Sequence, residues 1–454
     1  MDSHFSFLRY LKFNNAFERI KYLQWYSFIE KSQWWSKEEL ENYQWQKIKL
    51  LLDYVYIHVP YYTELFNKIG AKPPDIKTWL DFEKIPCLTK DIIRERPDDL
   101  ISTSRKNKSK LRYYTTGGST GEPVGFYKSS DIDIIESAFM HQQWKRVGYN
   151  EKSSRIILRG EPVKNNPLFQ KFRFSNDWLV SSYHLSERYI KQYVDFLNKI
   201  KPDFFHVYPS SLYIFTRLLI DSKLSLNFSP RAILCGSEPV RNYQRELFEK
   251  TYNAKIYSWL GLSEGVILAG ECEYSTDYHA WPQHSYIEIL NKENKSVNNK
   301  GGTGEIIGTA LNNFAYPFIR YRSGDIGEYT GCGCPLCKRN FPLLRKVDRW
   351  LQEIIVSKNG VYVSATGLNT HTDIFDNVVQ FQFFQNIPGE LVLNLVKKNS
   401  YTEKDSVKII NELQKKIGNE FDISLSFMNN IPRSETGKHR YLVQNLKLEL
   451  FNNK

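Results

Sequence analysis

Short apolar segments rich in β-branched and aromatic residues alternate with helical segments over residues 155–260, and this alternation limits the possible folds more than any other feature. Strands that take turns with helices imply βαβ units and a largely parallel sheet. The sequence therefore predicts an α/β fold. The predicted strands are Arg155–Arg159, Phe204–Val207, Arg231–Leu234 and Lys255–Trp259, and the predicted helices are Ser186–Ile200, Ser210–Ser222 and Arg241–Tyr252.

The segments on either side have different patterns of apolar residues and turns. Helical spacing of apolar residues predicts helices over Glu38–Val59 and Tyr62–Ile69, and strands with Gly-rich turns follow from Tyr286 to Tyr329. Near the C-terminus we expect a strand–helix–strand unit, with Val407, Ile410, Leu413 and Ile417 on one helix face. We predict a large N-terminal domain over residues 1–348, with mixed and parallel sheets flanked by helices and a β-rich subdomain at about 270–345. A small, mobile α+β domain over residues 349–454 completes this prediction.

Composition excludes several classes of protein. The chain has 454 residues, 41% of them hydrophobic, which is enough for a large core and excludes a disordered chain. The net charge of +12 is carried by short, dispersed blocks of lysine, so we expect no nucleic-acid partner. No apolar run reaches the ~18 residues of a membrane span. The first residues lack the core of a signal peptide, and we expect a cytoplasmic protein.

A Gly-rich segment carries the most chemical information. Adjacent glycines and interleaved hydroxyls place exposed N–H groups in a concave loop that suits an anion such as a triphosphate. The segment lacks the Gly-Lys-[Ser/Thr] ending of a Walker loop. Its candidate phosphate-binding residues are Thr115, Thr116, Gly117, Gly118, Ser119, Thr120 and Gly121.

This loop resembles the signature loop of the acyl-adenylate-forming (AMP-binding) superfamily, and its Gly-Gly-Ser-Thr-Gly form resembles the phenylacetate–CoA ligase branch with its capsule-biosynthesis relatives. Four later segments resemble motifs of that superfamily in the same order: Cys235–Pro239, Leu260–Glu264, Tyr321–Asp325 and Ile431–Lys438. The resemblance implies ATP-dependent activation of a carboxylic acid to an acyl adenylate, followed by transfer to CoA.

The resemblance also implies roles for single residues. Glu264 would bind Mg²⁺, Asp325 the ribose hydroxyls, Arg349 ribose or phosphate, and Lys438 the α-phosphate and carboxylate oxygens in the transition state. The turn residues Gly236, Ser237, Glu238 and Pro239 would pack near adenine, as would Trp259, Leu260, Gly261 and Ser263. Leu260 stands where the motif has a tyrosine that stacks on adenine, with Trp259 and Tyr257 just before it, so ATP would either bind more weakly or stack on one of these neighbours.

Two other functions stay open. The acyl group could pass to a carrier protein, or to a sugar in surface polysaccharide biosynthesis, in place of CoA. Alternatively, the chain could be a non-catalytic nucleotide-binding protein, because Leu260 replaces the motif tyrosine and residues 348–353 depart from the usual hinge sequence Gly-Arg-x-Asp-Asp. A homodimer is also left open.

The cysteines form a separate pattern. Cys332, Cys334 and Cys337 lie within six residues, which in a cytosolic protein favours a metal over a disulfide. Some members of the resembled branch hold a structural zinc ion with thiols and a histidine. By that resemblance Cys272 and His279 are the first half of a zinc site, and two of the three clustered cysteines are the second half. Cys334 and Cys337 have the usual C-x₂-C spacing.

Overall fold

A computed structural model describes residues 16–105, 111–116, 124–160, 163, 168–172, 175–291, 293–297, 299–346, 354–368, 370, 372–432 and 441–446. Within them the α-helices are α1 Ala16–Ser32, α2 Lys37–His58, α3 Pro60–Lys68, α4 Trp79–Glu83, α5 Lys90–Glu95, α6 Ser130–Lys145, α7 Glu187–Ile200, α8 Pro209–Asp221, α9 Asn242–Tyr252 and α10 Glu403–Ile417. The strands are β1 Leu111–Thr115, β2 Gly125–Ser129, β3 Arg155–Leu158, β4 Phe169–Lys171, β5 Trp178–Val180, β6 Phe204–Val207, β7 Ala232–Cys235, β8 Lys255–Gly261, β9 Leu268–Gly270, β10 Tyr278–Ala280, β11 Ser285–Leu290, β12 Gly302–Ala310, β13 Tyr321–Cys332, β14 Pro342–Lys346, β15 Ile354–Val356, β16 Tyr362–Ser364, β17 Val378–Gln385, β18 Glu390–Lys397, β19 Asp422–Phe427 and β20 Leu442–Gln444.

The chain forms two compact units. Unit 1 comprises Met1–Thr116, Val124–Arg146 and Trp259–Arg349, and unit 2 comprises Gly117–Pro123, Val147–Ser258 and Trp350–Lys454. The predicted N-terminal domain is thus shared between both units, while the predicted boundary at residues 348 and 349 stays a prediction.

Unit 1 is built on antiparallel strands. Its sheet has the order β11-β12-β13-β14-β10-β9, extended by the last three residues of β8, and every neighbouring pair is antiparallel. Strands β1 and β2 form a separate hairpin. Helices α2 and α3 pack on this sheet through a shared hydrophobic core that also contains the hairpin residue Phe126.

Unit 2 contains the predicted parallel sheet. Strands β5, β3, β6, β7 and the first four residues of β8 run parallel, and β4 pairs antiparallel with β5 at the edge. Loops that follow parallel strands gather at one edge of such a sheet, where α/β proteins bind ligands. Arg159, Tyr208 and Gly236 each come directly after one of these strands.

The C-terminal part of unit 2 has its own four-stranded sheet in the order β19-β18-β17-β20. Helix α10 connects β18 to the parallel strand β19 and buries Ile409, Leu413 and Ile417. The predicted helix face was wrong at Val407, which is 53% exposed. The buried stripe includes the polar residue Ser406, whose hydroxyl lies 3.0 Å from the hydroxyl of Tyr401.

Local sequence explains several boundaries. Helix α2 begins with a capping box, in which the Ser36 hydroxyl accepts from the N–H of Glu39 and the Glu39 carboxylate accepts from the N–H of Ser36. Pro60 starts α3 at the first helical position, where a missing N–H costs nothing. The α/β fold with a C-terminal β-containing part is confirmed. Among the helices in the described ranges, none combines the length and hydropathy that a membrane crossing requires.

Candidate functional site

The two threonines that open the Gly-rich segment close the base of a loop. Thr115 ends β1, and the N–H of Thr116 donates to the carbonyl of Val124 at 2.9 Å. In return the N–H of Val124 donates to the Thr116 hydroxyl at 3.1 Å. Both threonine side chains are buried. Gly117, Gly118, Ser119, Thr120 and Gly121 lie outside the described residues.

Helix α6 holds this hairpin from one side. The Tyr114 hydroxyl donates to the Asp133 carboxylate at 3.0 Å, and Arg112 pairs with the same carboxylate. Lys128 forms a buried ion pair with Glu136 at 3.3 Å. An ion pair removed from water constrains its elements strongly, because breaking it leaves a buried charge. The hairpin is therefore fixed to α6 at three side chains.

Glu264 is a buried carboxylate in unit 1. It is 5% exposed, and its Oε1 accepts a hydrogen bond from the Tyr321 hydroxyl at 2.9 Å. Burial, followed by the charge of Glu264, raises the pKa of Tyr321 well above its usual value, so Tyr321 remains a donor. Glu264 also lines a small cavity whose other walls are Ile132, Ile135, Glu136, Gly265, His284, Ala310, Asn312 and Asn313.

Aromatic packing links the Gly-rich hairpin to Glu264. Phe126 of β2 packs edge-on against Phe318 with ring centroids 5.4 Å apart, and Phe318 packs against Tyr321 at 5.2 Å. Tyr321 in turn binds Glu264. Asp325 lies farther along β13 and is half-buried, with its N–H donating to the Ser323 hydroxyl at 3.1 Å. The base of the Gly-rich segment and two of the later motifs thus belong to one packed region of unit 1.

In unit 2, Arg159 connects the ends of three parallel strands. Its Nη2 donates to the Ser237 hydroxyl at 2.7 Å, and its Nη1 lies 2.8 Å from Nε2 of His206. The guanidinium also stacks over the Tyr208 ring at 4.8 Å. Burial, and then the charges of Arg159 and Arg155, lower the pKa of His206 well below its usual value. His206 is therefore neutral and its Nε2 accepts from Arg159.

Glu238 makes a structural contact. Its Oε2 accepts from the N–H of Ser210 and its Oε1 from the Ser210 hydroxyl, both at 2.9 Å. Ser210 is in the first turn of α8, where N–H groups lack partners within the helix and a negative charge is favourable. The Glu238 carboxylate therefore caps α8. The preceding Ser237 has a φ of +68°, and Gly236 and Pro239 complete this turn.

The predicted adenine-stacking residues are buried. Leu260 packs in the core of unit 1, and Trp259 is 8% exposed, with its ring 5.7 Å from that of Trp144. Gly261 ends β8 and is exposed, and Ser263 lies in the turn before Glu264. Neither Leu260 nor Trp259 offers a large exposed face in this structure.

The structure brings four of the candidate metal ligands together in unit 1. The ligand atoms of Cys272, His279, Cys334 and Cys337 lie within 4.8 Å of one another, and all four residues are buried. Cys332 is exposed and outside this group, with its sulfur 3.7 Å from the carbonyl of Asn340. We call these four residues the thiol cluster.

The donor set of the thiol cluster fits Zn²⁺. Nδ1 of His279 lies 2.9 Å from the carbonyl of Asp277, so Nδ1 carries the proton and Nε2 is free for the cluster. Backbone N–H groups of Tyr274 and Ser275 donate to the sulfur of Cys272 at 3.4 and 3.2 Å, as they would to a thiolate. Zinc bonds of about 2.0–2.3 Å require ligand atoms within roughly 4 Å of one another, so a small closure suffices. Hydrogen bonds from Cys272 and then His279 lower the pKa of Cys337.

Two other predicted site residues, Arg349 and Lys438, lie outside the described residues. The sequence analysis missed Arg159 and Tyr321, which contact predicted site residues directly. It also missed Arg146, which lies beside the thiol cluster. The Tyr-Arg-Ser-Gly-Asp motif was a signal for Tyr321, but no local pattern marks the two arginines, because distant segments bring them into place.

Comparison with known proteins identifies relatives over most of the chain. Residues 355–445 match the family of CapK C-terminal domains. Protein CapK of Staphylococcus aureus is 25% identical over 419 residues, which cover 90% of this chain and 89% of CapK. The phenylacetate-coenzyme A ligase of Escherichia coli (strain K12) is 26% identical over 424 residues, covering 88% of this chain and 94% of that enzyme.

Solved structures show the same fold. A crystal structure of 2-hydroxyisobutyryl-CoA ligase in the postadenylation state, in complex with R3-HIB-AMP, has a TM-score of 0.56 and 16% identity over 90% of both chains. The same ligase with 2-HIB-AMP and CoA in the thioesterification state has a TM-score of 0.55 and 16% identity over 91% of both chains.

Proposed function

We propose that this chain, which belongs with CapK and the phenylacetate–CoA ligases among the acyl-adenylate-forming enzymes, activates a carboxylic acid with ATP and then transfers the acyl group to CoA. The observation that carries this proposal is the position of Glu264. Its motif carboxylate is buried, oriented by Tyr321, and joined through packed aromatic rings to the hairpin that bears the Gly-rich loop.

The reaction has two steps. A carboxylate oxygen of the acid attacks the α-phosphorus of ATP. The bond between this phosphorus and the oxygen that bridges to the β-phosphorus breaks, so that pyrophosphate leaves. The CoA thiol then gives its proton to solvent and its sulfur attacks the acyl carbon, and the bond from that carbon to the phosphate oxygen breaks so that AMP leaves. The protein contributes mainly positioning and stabilisation of negative charge on the phosphates.

Each motif has a part in this proposal. Glu264 would hold Mg²⁺, which neutralises charge on the phosphate oxygens when it is bound. The Thr115–Thr116 base would orient the phosphate-binding loop, and Asp325 would accept from the ribose hydroxyls. Lys438 would supply a mobile positive charge at the reacting phosphate. Arg349 would contact ribose or phosphate.

Zinc has a structural part in the same proposal. Cys272, His279, Cys334 and Cys337 would hold one Zn²⁺ ion that joins the loop after β9 to the β13–β14 turn. These segments are about 60 residues apart in the chain, so the unfolded chain has no preformed site and the binding free energy of zinc would add to the stability of the folded state. The cluster serves stability, since its four ligands leave no open position for substrate.

The test is pyrophosphate release by the full chain across a panel of carboxylic acids, with and without CoA. We expect release that depends on an acid and on Mg²⁺ and increases with CoA. Loss of this activity in Lys438→Ala, with unchanged thermal unfolding, would assign Lys438 to adenylation. If no acid supports exchange of labelled pyrophosphate into ATP while ATP still binds, the chain is a non-catalytic nucleotide-binding protein.

The same assay decides the acyl acceptor. Acid-dependent exchange that CoA does not accelerate would favour the alternative, in which a carrier protein or a sugar receives the acyl group. A thioester product identified by mass spectrometry would favour CoA. Size-exclusion chromatography with light scattering tests the homodimer that the sequence leaves open.

A further inference from the structure

Arg146 is a half-buried residue whose guanidinium lies next to the thiol cluster. It follows the last residue of α6, its Nη1 donates to the carbonyl of Glu271 at 3.0 Å, and its guanidinium stacks over the Trp281 ring at 4.7 Å. Its Nε and Nη2 are buried and have no hydrogen-bond partner among the described residues. A guanidinium removed from water is costly unless an anion compensates it.

The nearby carboxylate is already engaged. Arg339 donates to both oxygens of Glu273 at 2.7 and 2.9 Å and to Oε1 of Gln33 at 2.8 Å. This bidentate pair balances the charge of Arg339. Arg146 forms no ion pair with a carboxylate in the part of the chain that the structure describes. Its positive charge is therefore left for another anion.

The thiol cluster lies close to Arg146, because the carbonyl that accepts from Nη1 belongs to Glu271, the residue before the cluster ligand Cys272. Burial, and then repulsion from Arg339, lower the pKa of Arg146 to about 10, and Glu273, Cys337 and Cys272 act in the opposite direction. Two cluster sulfurs are thus among its close electrostatic neighbours. When three thiolates and one neutral imidazole bind a divalent cation, one negative charge remains on the site.

We propose that Arg146 is the counter-ion of the thiol cluster, so that its guanidinium balances the single negative charge of a divalent ion bound by three thiolates and His279. This inference rests on the metal site of the proposed function and adds a positioning residue to it. A Cys₃His set with a divalent ion carries this charge, whereas a Cys₂His₂ set would be neutral and would leave Arg146 without a counter-ion.

The first experiment measures the zinc affinity of the full chain by competition with a chromophoric chelator. Arg146→Met keeps the aliphatic length and removes the charge, and we expect zinc to bind about 10–100-fold more weakly. Arg146→Lys should lose less. Lys145→Met is the matched control, because it removes a neighbouring positive charge that lies at the surface beside Glu30, and its zinc affinity should equal that of the wild type.

A variant with a neutral zinc complex separates electrostatics from packing. Cys334→His replaces one thiolate by an imidazole and makes the complex neutral, so in this background Arg146→Met should change zinc affinity by less than about threefold. Equal losses in both backgrounds would show that Arg146 only packs on Trp281, and would overturn the proposal. The absorption of the Co²⁺-substituted protein counts the bound thiolates in each variant.

Thermal unfolding gives an answer that does not depend on Cys334→His. In the zinc-loaded protein, Arg146→Met should lower the Tm by several degrees. In the chelated protein the metal complex whose charge Arg146 balances is absent, so Arg146→Met should lower the Tm by less than in the zinc-loaded protein. If Arg146→Met lowers the Tm by the same amount in the zinc-loaded and the chelated protein, the proposal that Arg146 is the counter-ion is wrong. If the wild type binds no zinc, the metal site itself fails, whereas tight zinc binding that Arg146→Met leaves unchanged rejects the counter-ion alone.

Discussion

The thiol cluster and the motifs proposed to bind ATP are two regions that this chain builds differently. The four cluster ligands belong to unit 1, are buried, and approach one another within 4.8 Å. The motif residues assigned to nucleotide binding are distributed over both units, and some of them lie in loops. A closed set of soft ligands suits a permanent structural ion, whereas residues on separate loops suit substrates that must enter and leave.

This difference implies that the two regions respond differently to substitution. Changes in the thiol cluster should reduce stability and affect activity only as a consequence. Changes at nucleotide-motif residues should reduce activity with little effect on stability, unless the residue has acquired a structural contact. The four predictions below test this division.

The largest effect is expected at Glu264. Glu264→Gln keeps an acceptor for the Tyr321 hydroxyl but removes the negative charge that would hold Mg²⁺, so we expect acid-dependent pyrophosphate exchange to fall by about 10²–10³-fold. The Tm should stay within a few degrees of the wild type. Tyr321→Phe, which retains the charge and loses only its orientation, should cause a smaller loss. Full exchange activity in Glu264→Gln would contradict its role.

Removal of one cluster ligand should mainly affect stability. Cys337→Ser should weaken zinc binding, and the free energy of unfolding should fall by about 3–4 kcal/mol at zinc concentrations far above the wild-type Kd. Cys332→Ser is the matched control, because Cys332 lies outside the cluster, and it should unfold like the wild type. Denaturant unfolding with and without chelator measures both. A difference between Cys337→Ser and the wild type that persists unchanged in chelator would rule out the metal.

His284, on the cavity beside Glu264, should make stability depend on pH. Burial, and then the charge of Lys128, lower its pKa to about 3. The unfolded chain therefore binds a proton below its pKa of about 6.5 that the folded chain does not bind. His284 therefore does not change the free energy of unfolding above about pH 6.5. As the pH is lowered from there towards 3, it lowers the free energy of unfolding by up to ~1.4 kcal/mol per pH unit. In urea unfolding between pH 7 and pH 5, His284→Gln should show a shallower decline than the wild type; parallel curves would disprove this assignment.

The smallest effect is expected at Glu238, a motif residue that makes a structural contact. This motif residue caps α8 through Ser210, so Glu238→Gln should cost about 1 kcal/mol of unfolding free energy. Combined with Ser210→Ala, the two costs should be less than additive. An unchanged free energy of unfolding together with a raised KM for ATP would instead place Glu238 in the nucleotide site.

Much of the fold was predictable because its signals are local. The strand Phe204–Val207 is where the sequence placed it, and its neighbour begins one residue later than predicted, at Ala232. At α10 the spacing of apolar residues predicted part of the buried helix face wrongly. Val407 is apolar but exposed, while Ser406 is buried because Tyr401 supplies a hydrogen-bonding partner. A pattern of apolar residues cannot anticipate a partner that tertiary packing provides.

The sequence by itself determined the order of strands and helices, the Gly-rich loop and the cysteine spacing, since each depends on residues close together in the chain. Only the tertiary structure decided that Cys332 is outside the thiol cluster, that Glu238 caps a helix, and that the guanidinium of Arg146 lies beside the thiols. These outcomes depend on desolvation and on hydrogen bonds between distant segments. Such energies arise only when packing removes water from groups that the sequence leaves far apart.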